Sequence, residues 1–287
     1  MNQELVYDFE LRTAEFAAIR ELVLESTGIS LSESKRELVK RRFTPRLRAL
    51  GLDSFTAYID YVRNNYDAEG THFCNAITTN LTSFFRESHH YEFLEQVILP
   101  EWVQRTRGKG RLRLWSAGCS TGQEAYCLAI SVLRVIPDAN QRDIRILATD
   151  LDENCLARAR RGAYETREFD KVPREVIDDW FVPAQVSVKS MQRDAWMATD
   201  KLKSLIAFNK LNLVQPWPMH GKFDVIFCRN VFIYFDKPTQ EKILTQFAAY
   251  QVPGTHLCLG HSETVASSES LGYSLIGKTT YQRTGVA

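Results

Sequence analysis

Two glycines and two acidic residues in the middle of the chain have the types and spacing to hold a small ligand. Gly118 and Gly122 lie in WSAGCSTGQE, directly after an apolar run, and Glu124 begins a helix-like segment. Asp150 ends the next apolar run, IRILATD. Glycine allows a sharp turn and a close approach of the backbone to a ligand. An acidic residue at the end of the second strand of a parallel sheet can accept hydrogen bonds from ribose hydroxyls.

The glycine loop lacks the two usual phosphate-binding signatures. Its spacing is GxxxG and not GxGxxG, and no GK[ST] follows it. S-adenosylmethionine matches this combination, because it carries a ribose and an ammonium group but no phosphate. Asp150 would bind the ribose and Glu124 the ammonium. Three alternatives stay open: the loop is only a tight turn, Asp150 caps the helix of ENCLARAR, and Glu124 only complements the helix dipole.

The hydrophobic pattern divides the chain into a helical part and a strand-rich part. Up to about residue 105 the apolar residues follow a helical period, and Thr44 followed by Pro45 predicts the start of a new helix. From about residue 111 short apolar runs alternate with helical stretches, which is typical of a mostly parallel sheet with both faces covered. We predict a helical domain over residues 1–88 and a sheet domain over 89–287. A small β hairpin or meander, QVSVKSMQRDAWMA, would belong to an insertion at about 163–203.

Composition and charge exclude several classes of protein. Hydrophobic residues make up 44% and charged residues 25% of the 287 residues, as in an ordinary globular protein, and the net charge is +1. The six cysteines form no CxxC pair and the histidines lack ligand spacing, which predicts reduced thiols and no metal site. The start, MNQELVYDFE, does not resemble a signal peptide, and no apolar run is long enough to span a bilayer. We therefore expect a cytoplasmic protein without direct membrane insertion.

Four longer strings resemble one family. TNLTSFFRE, WSAGCSTGQEAY, ATDLDENCLARAR and FDVIFCRNVFIYFD occur in this order, and together they are similar to the chemotaxis receptor methyltransferases, the CheR family. The resemblance implies an α/β fold: a Rossmann-like class I S-adenosylmethionine-dependent methyltransferase domain with a small β insertion, preceded by an all-α N-terminal domain. It also implies methyl transfer from S-adenosylmethionine to glutamate side chains of bacterial chemoreceptors, for adaptation in chemotaxis, with S-adenosylhomocysteine as the second product. Where the family usually reads GEEPYS this chain reads GQEAYC, so Glu124 and not Gln123 would carry the charge.

The resemblance also implies which residues form the site. It carries cofactor contacts over to Asn80, Thr82, Arg86, Glu124, Asp150, Asn212, Leu213, Arg229 and Asn230. Arg86, which would bind the methionine carboxylate, and Tyr234 are the candidate catalytic residues. Besides those for Asp150 and Glu124, structural alternatives stay open for five more of these residues: a cap for Thr82, a turn for Asn212, the core for Leu213, an ion pair for Arg229 and the core for Tyr234. No general base is expected, because a glutamate with a pKa near ~4.3 is already ionised at neutral pH.

One basic segment suggests the protein partner. SKRELVKRRFTPRLR holds seven basic residues and one acidic residue, a charge of +6 in a chain of net charge +1. The resemblance favours docking on acidic cytoplasmic helices of transmembrane chemoreceptors, through Lys35, Arg36, Lys40, Arg41, Arg42 and Arg46. A solvated helix face is the first alternative. Nucleic acid is the second, although the segments around the predicted crevice are mostly neutral or acidic. A degenerate fold used as an adaptor, and a receptor C-terminal peptide bound by the β insertion, also remain open.

Overall fold

The computed structural model describes residues 9–188, 190–265 and 269–285, and the chain forms two compact units. The first unit extends to Thr79 and includes Tyr234–Asp236, while the second comprises Asn80–Ile233 and the chain from Lys237 onward. The pattern-based boundary followed residue 88, whereas the stretch 80–88 belongs to the second unit. Phe84 gives the physical reason, because its side chain is buried in the core of that unit.

Helices alone form the regular structure of the first unit among the described residues, which confirms the predicted helical N-terminal domain. Its α-helices are α1 (Thr13–Thr27), α2 (Arg36–Leu50), α3 (Phe55–Asn64) and α4 (Tyr66–Ile77). Each helix buries a stripe of side chains, such as Phe16, Ile19 and Val23 in α1. Gly28 ends α1 as the pattern predicts, with a left-handed φ of 74° that favours glycine.

The prediction of a new helix at Thr44 and Pro45 is wrong, because α2 runs through both residues without a break. Val39, Phe43 and Leu47 are spaced four residues apart and are all fully buried, so one apolar face continues past the proline. Pro45 itself is exposed, and the helical hydrogen bond that it cannot make therefore faces solvent. Burial of this face outweighs the local preference of proline for a helix start.

A buried carboxylate holds α2, α3 and α4 together. Glu69 of α4 is 1% exposed, and it accepts two hydrogen bonds of 2.6 Å from the guanidinium of Arg46 in α2. The hydroxyl of Tyr58 in α3 donates to the same carboxylate at 3.1 Å. Arg42 makes a second link, because it donates to the carbonyl of Ile77 at 2.7 Å at the end of α4. Two members of the basic segment therefore have structural partners inside the first unit.

Helices and strands alternate along the second unit. Its α-helices are α5 (His89–Phe93), α6 (Leu99–Thr106), α7 (Gln123–Val135), α8 (Glu153–Arg161), α9 (Arg174–Trp180), α10 (Asp200–Lys203) and α11 (Lys237–Ala249). Its strands are β1 (Leu112–Ala117), β2 (Ile144–Asp150), β3 (Ala163–Glu165), β4 (Phe181–Val188), β5 (Met191–Ala198), β6 (Ile206–Lys210), β7 (Val225–Cys228), β8 (His256–Leu259), β9 (Tyr273–Gly277) and β10 (Thr280–Arg283). Within the described ranges, no helix is long and apolar enough to cross a membrane.

Seven strands form the main sheet in the order β6-β2-β1-β7-β8-β10-β9. The first five are parallel, and β10 is antiparallel to both of its neighbours. This arrangement confirms the predicted mostly parallel sheet. The chain order reverses between β1 and β7, and ligands bind at the carboxyl ends of the strands beside such a switch point.

The predicted insertion forms a separate antiparallel sheet in the order β3-β5-β4. β4 and β5 pair along their whole length, from Phe181 opposite Ala198 to Val188 opposite Met191, which confirms the predicted hairpin. Lys189, which follows β4 in the sequence, lies outside the described residues. β4 forms one edge of the small sheet, so its outer backbone groups have no neighbouring strand in that sheet.

We predict that Glu69→Gln lowers the free energy of unfolding by about 2 kcal/mol, because a neutral amide cannot accept all the hydrogen bonds of Arg46 and Tyr58. Urea denaturation followed by far-UV circular dichroism measures this loss. Glu25→Gln, at an exposed position of α1, is the matched control and should change the free energy of unfolding by less than about 0.5 kcal/mol. Equal effects of the two substitutions would refute the structural role of Glu69.

Candidate functional site

The carboxyl ends of β1, β2, β6 and β7 carry the candidate site. The backbone N–H groups of Gly118 and Cys119 both donate to the carbonyl of Thr149 at 2.8 Å, so the loop after β1 is tied to the end of β2. The N–H of Leu211, after β6, donates to the carbonyl of Asp150 at 3.0 Å. Three loops that are distant in sequence therefore meet at one edge of the sheet.

Glycine is required in the loop after β1. Gly118 and Gly122 have φ angles of 91° and 98°, which residues other than glycine rarely adopt. A Cβ on Gly118 would also lie 2.4 Å from a methyl group of Val231. The tight-turn interpretation of these glycines therefore holds, and it is compatible with a ligand beside the loop.

Asp150 lies between the glycine loop and the start of α8. Its carboxylate accepts from the N–H of Ser120 at 2.7 Å and from the N–H of Asp152 at 2.9 Å. Asp152, and not Asp150, caps α8, because its side chain accepts from the N–H groups of Asn154 and Cys155. Burial raises the pKa of Asp150 to about 6, although both backbone N–H groups favour the ionised form.

Asn80 joins this group from the start of the second unit. Its side-chain amide donates to Asp152 at 2.7 Å, and its carbonyl accepts from the hydroxyl of Ser120 at 3.1 Å. Asn80 and Asp150 therefore both contact Ser120, and Asn80 also contacts Asp152. Thr82, two residues later, is partly exposed.

Arg229 is the centre of a buried charge network beside the glycine loop. Its side chain is 2% exposed and lies 3.1 Å from a carboxylate oxygen of Glu124 and 3.4 Å from one of Glu87. It also donates to the hydroxyl of Tyr91 at 3.1 Å and to the carbonyl of Arg86. Burial disfavours the guanidinium charge, but Tyr91 and the two carboxylates raise the pKa of Arg229 above its usual value. The ion-pair alternative for Arg229 describes these contacts.

The two carboxylates of this network differ in their pKa shifts. Burial raises the pKa of Glu124, although Arg229 and a 2.7 Å hydrogen bond from the hydroxyl of Ser116 oppose this shift. Burial would also raise the pKa of Glu87, but there Arg229 and hydrogen bonds from His261 and Asn230 lower it to about 2. Glu87 is therefore the more strongly ionised partner of Arg229.

Arg86 lies in a strained loop. Its neighbours Phe85 and Glu87 have φ angles of 50° and 55°, and each such residue costs on the order of 1 kcal/mol. The guanidinium of Arg86 donates to the carbonyl of Leu81 at 3.1 Å. Arg86 also lines a cavity of about 550 Å³ that extends to Lys171. The loop of Arg86 therefore combines backbone strain with a cavity.

Asn230 is held by a second buried carboxylate. Glu263, which is 4% exposed, accepts from the N–H of Asn230 at 2.9 Å and from the N–H of Gly260 at 2.6 Å. These bonds hold Asn230 in a left-handed conformation with φ 59°. Its side-chain amide then donates to Glu87 at 3.3 Å, so Asn230 and Arg229 contact the same acid.

The remaining predicted residues have structural partners of their own. Asn212 accepts from the N–H of Val214 at 3.2 Å, as in a turn, and Leu213 is 7% exposed. Both follow β6 next to Asp150. Tyr234 belongs to the first unit, where its hydroxyl donates to the carbonyl of Thr79 at 3.3 Å.

Sequence reasoning missed Glu87, Tyr91 and Glu263. Glu87 follows Arg86 directly inside the string TNLTSFFRE, and an acid next to a candidate arginine was the signal that could have identified it. Glu263 follows a strand in GHSE, so its place after β8 was a comparable signal. Tyr91 shows no such pattern, because its role depends on a residue 138 positions away.

One cluster has the residue types of a metal site. Glu87, His89 and His90 each offer one ligand atom, and these atoms lie within 4.8 Å of one another. Burial, and then the charge of Arg229, lower the pKa of His90 to about 3. The same positive charge opposes a metal cation, so we assign no metal to these residues.

The chemistry of the crevice suits a ligand with hydroxyls and an ammonium group. Carboxylates stand at the end of β2 and at the start of α7, and Arg86 offers a cation for a carboxylate. The glycine loop contains no lysine or arginine that would bind a phosphate. These residues fit S-adenosylmethionine.

We predict that Arg229→Met lowers the free energy of unfolding by about 3–5 kcal/mol at neutral pH, because two buried carboxylates lose their cation. Ionised Glu87 stabilises the wild type above its ordinary pKa of 4.5, and this contribution is lost as the pH falls toward its folded pKa of about 2. The difference in the free energy of unfolding between variant and wild type should therefore become smaller as the pH falls from 4.5 toward about 2.

Urea denaturation at several pH values measures this narrowing. Arg160→Met, at an exposed ion pair with Glu153, is the control and should cost less than about 1 kcal/mol at every pH. A difference for Arg229→Met that does not depend on pH would exclude the two carboxylates as its cause.

Comparisons with known proteins identify the family of this chain. Residues 80–281 match the family model of the CheR methyltransferase, SAM binding domain, and residues 14–78 match that of the CheR methyltransferase, all-alpha domain. A probable chemotaxis protein methyltransferase of Rhizobium etli is 43% identical over 92% of this chain and 97% of its own. A chemotaxis protein methyltransferase of Salmonella typhimurium is 38% identical over 94% of this chain and 90% of its own.

A chemotaxis protein methyltransferase 2 of Pseudomonas aeruginosa is 37% identical over 98% of this chain and 95% of its own. These matches cover both units, and they confirm the class I methyltransferase fold and S-adenosylmethionine as the cofactor. The chain belongs to the CheR family of S-adenosylmethionine-dependent chemotaxis protein methyltransferases.

Proposed function

We propose that this protein methylates glutamate side chains on the cytoplasmic helices of chemoreceptors. The observation that carries the proposal is the basic segment SKRELVKRRFTPRLR, which has a charge of +6 in a chain of net charge +1. This chain belongs to a family of chemotaxis methyltransferases. Receptor helices rich in glutamate would be attracted to such a surface. Esterification removes one negative charge from the receptor, which shifts the repulsion between its helices and biases signalling.

The reaction is an in-line displacement that needs no proton transfer. One carboxylate oxygen of the glutamate forms a bond to the methyl carbon while the bond from that carbon to sulfur breaks. The electron pair of the broken bond stays on sulfur, which gives neutral S-adenosylhomocysteine and a neutral methyl ester. The protein has to align the carboxylate with the methyl group and exclude water from it.

The predicted site residues have the following proposed roles. Asp150 accepts from the ribose hydroxyls, and Glu124 accepts from the ammonium group of the cofactor. The adenine lies against the segment after β6, and the methionine end lies near the loops after β1 and β7. The other proposed contacts are Asn80, Thr82, Asn212, Leu213, Arg229 and Asn230. Arg86 binds the methionine carboxylate, and Arg86 and Tyr234 are the proposed catalytic residues.

The basic segment contains two kinds of residue. Lys35 and Arg41 are exposed, and we assign direct docking on the receptor to them, with Arg36 and Lys40 beside them. Arg42 and Arg46 contribute charge to the same surface, but their guanidinium groups also join α2 to α4. Substitution of these two residues would therefore combine lost docking with lost stability.

The hairpin of β4 and β5 is the proposed second contact with the receptor. Its edge strand β4 is able to pair with an extended peptide, such as the C-terminal segment of a receptor. Val182 and Met191 are exposed there, at 42% and 55%, and would contact apolar side chains of that peptide.

We predict that Asp150→Asn weakens binding of S-adenosylhomocysteine about tenfold or more, because hydrogen bonds to an ionised acceptor are lost. Wild-type affinity should fall as the pH drops through about 6, the pKa of Asp150, since protonation removes the acceptor charge. The Asn variant should lack this dependence. Calorimetric titration measures both effects, with the exposed Asp60→Asn as control. An unchanged affinity of Asp150→Asn would exclude the ribose role.

Receptor-rich membranes and methyl-labelled cofactor test the substrate. After alkali treatment, a glutamate methyl ester releases labelled methanol, whereas methylated nitrogen keeps its label. We expect volatile label from receptor protein. No label in receptor protein, or label that stays bound after alkali, would refute the proposal. Label in nucleic acid would favour the alternative that the substrate is nucleic acid.

Charge reversal tests the docking surface. We predict that Lys35→Glu with Arg41→Glu lowers kcat/KM for receptor about tenfold at low salt. The effect should shrink at high salt, because screening weakens the attraction between exposed charges. Arg105→Glu with Lys109→Glu, exposed positions of the second unit, makes the same change in charge and should leave kcat/KM within about twofold. Equal losses in the two double variants would exclude α2 as the docking surface.

A further inference from the structure

The base of the β insertion, which consists of β3, residues 166–169 and the start of β4, contacts the loop that carries Arg86. The ring of Phe84 stacks on Phe169 with centroids 4.6 Å apart, and it meets the edges of Tyr164 and Phe181 at 5.1 and 5.5 Å. All four side chains are buried. Phe84 stands two residues before Arg86, so this aromatic cluster holds the strained loop from the side of the insertion.

The same base contacts the glycine loop. The hydroxyl of Tyr164, in β3, donates to the carbonyl of Thr121 at 2.7 Å, and its side chain is fully buried. A Cβ on Gly122 would lie 2.9 Å from that hydroxyl oxygen. The glycine loop is therefore packed directly on the phenol, and the hydrogen bond fixes the carbonyl just before the start of α7.

A polar chain makes a second link between the insertion and the glycine loop. Gln123 is 2% exposed, and its amide accepts from the hydroxyl of Thr121 at 2.7 Å and donates to Glu168 at 3.3 Å. Glu168 also accepts from the guanidinium of Arg158 and from the N–H of Glu165. A neutral amide suits this place, because a second carboxylate would face Glu168.

We propose that the base of the β insertion positions both loops of the cofactor crevice, with Tyr164 and Glu168 as positioning residues for the glycine loop. The inference rests on the proposed placement of the cofactor on that loop. Cofactor binding should then order the insertion, and by thermodynamic reciprocity a molecule that binds the ordered hairpin more tightly than the unordered one strengthens the binding of cofactor.

Two tyrosine variants separate positioning from stability. Tyr164→Phe removes one hydroxyl and keeps the aromatic packing. Tyr126→Phe is its matched control, because the Tyr126 hydroxyl is also fully buried and donates to a carbonyl, that of Ala159, at 2.8 Å. Both variants should lose similar stability. Only Tyr164→Phe should bind S-adenosylhomocysteine about tenfold more weakly, with a raised KM for cofactor and a kcat near that of the wild type.

Hydrogen exchange measures how cofactor binding affects the order of the insertion. In the wild type and in Tyr126→Phe, S-adenosylhomocysteine should slow amide exchange in β3, β4 and β5, and in Tyr164→Phe this protection should be reduced. Unchanged cofactor affinity in Tyr164→Phe, or equal losses of affinity in both tyrosine variants, would overturn the proposal. Asp150→Asn separates the two hypotheses: if it binds cofactor normally, the site assignment fails, whereas normal binding by Tyr164→Phe alone refutes only the positioning role.

Gln123→Glu tests the polar chain. This substitution places a carboxylate against that of Glu168. We expect severalfold weaker cofactor binding at neutral pH and partial recovery in the double variant Gln123→Glu with Glu168→Gln. Binding as tight as in the wild type would exclude the link through Glu168.

Discussion

The guanidinium of Arg229 is almost fully buried, and a buried charge needs partners of opposite charge close by. This requirement determines how the loops of the crevice are arranged. Arg229 follows β7, and Glu124 stands at the start of α7 after β1. Their ion pair therefore crosses the switch point of the sheet. Glu87 adds a second carboxylate from the loop of Arg86, and Asn230 and Glu263 hold that arrangement in place. One buried charge thus connects the loops that the sheet brings to its carboxyl edge.

The crevice also concentrates backbone strain. Phe85, Glu87, Ser120 and Asn230 all have positive φ, and each lies within or beside the network of Arg229 or of Asp150. Such conformations cost free energy and persist only where surrounding contacts enforce them. Here the enforcing contacts are the aromatic packing of Phe84, the amide hydrogen bonds of Asp150 and those of Glu263. Strain and buried charge coincide because the buried carboxylates of Asp150 and Glu263 accept hydrogen bonds from the N–H groups of strained residues and so hold these loops in place.

The same side chains often combine packing with a chemical role. In the first unit, Arg46 is both part of a basic segment and the partner of a buried acid. In the second unit, the insertion that offers an edge strand at β4 contacts the glycine loop through its base. A run of charge, or an inserted hairpin, is therefore not a single functional feature. Each residue in it has to be assigned from its own contacts.

The sequence by itself determined the features that depend on local patterns. Helical spacing, alternating strands and helices, the glycine turn and an acid at the end of β2 could all be predicted, because neighbouring residues specify them. Local reasoning failed at Pro45, where burial of Val39, Phe43 and Leu47 outweighs the preference of proline for a helix start. Only the tertiary structure decided that Asp152 caps α8 in place of Asp150, and which groups neutralise Arg229. Glu124 and Tyr91 lie 105 and 138 residues from Arg229 along the chain, and such pairs form only when the parallel sheet brings the ends of its strands together.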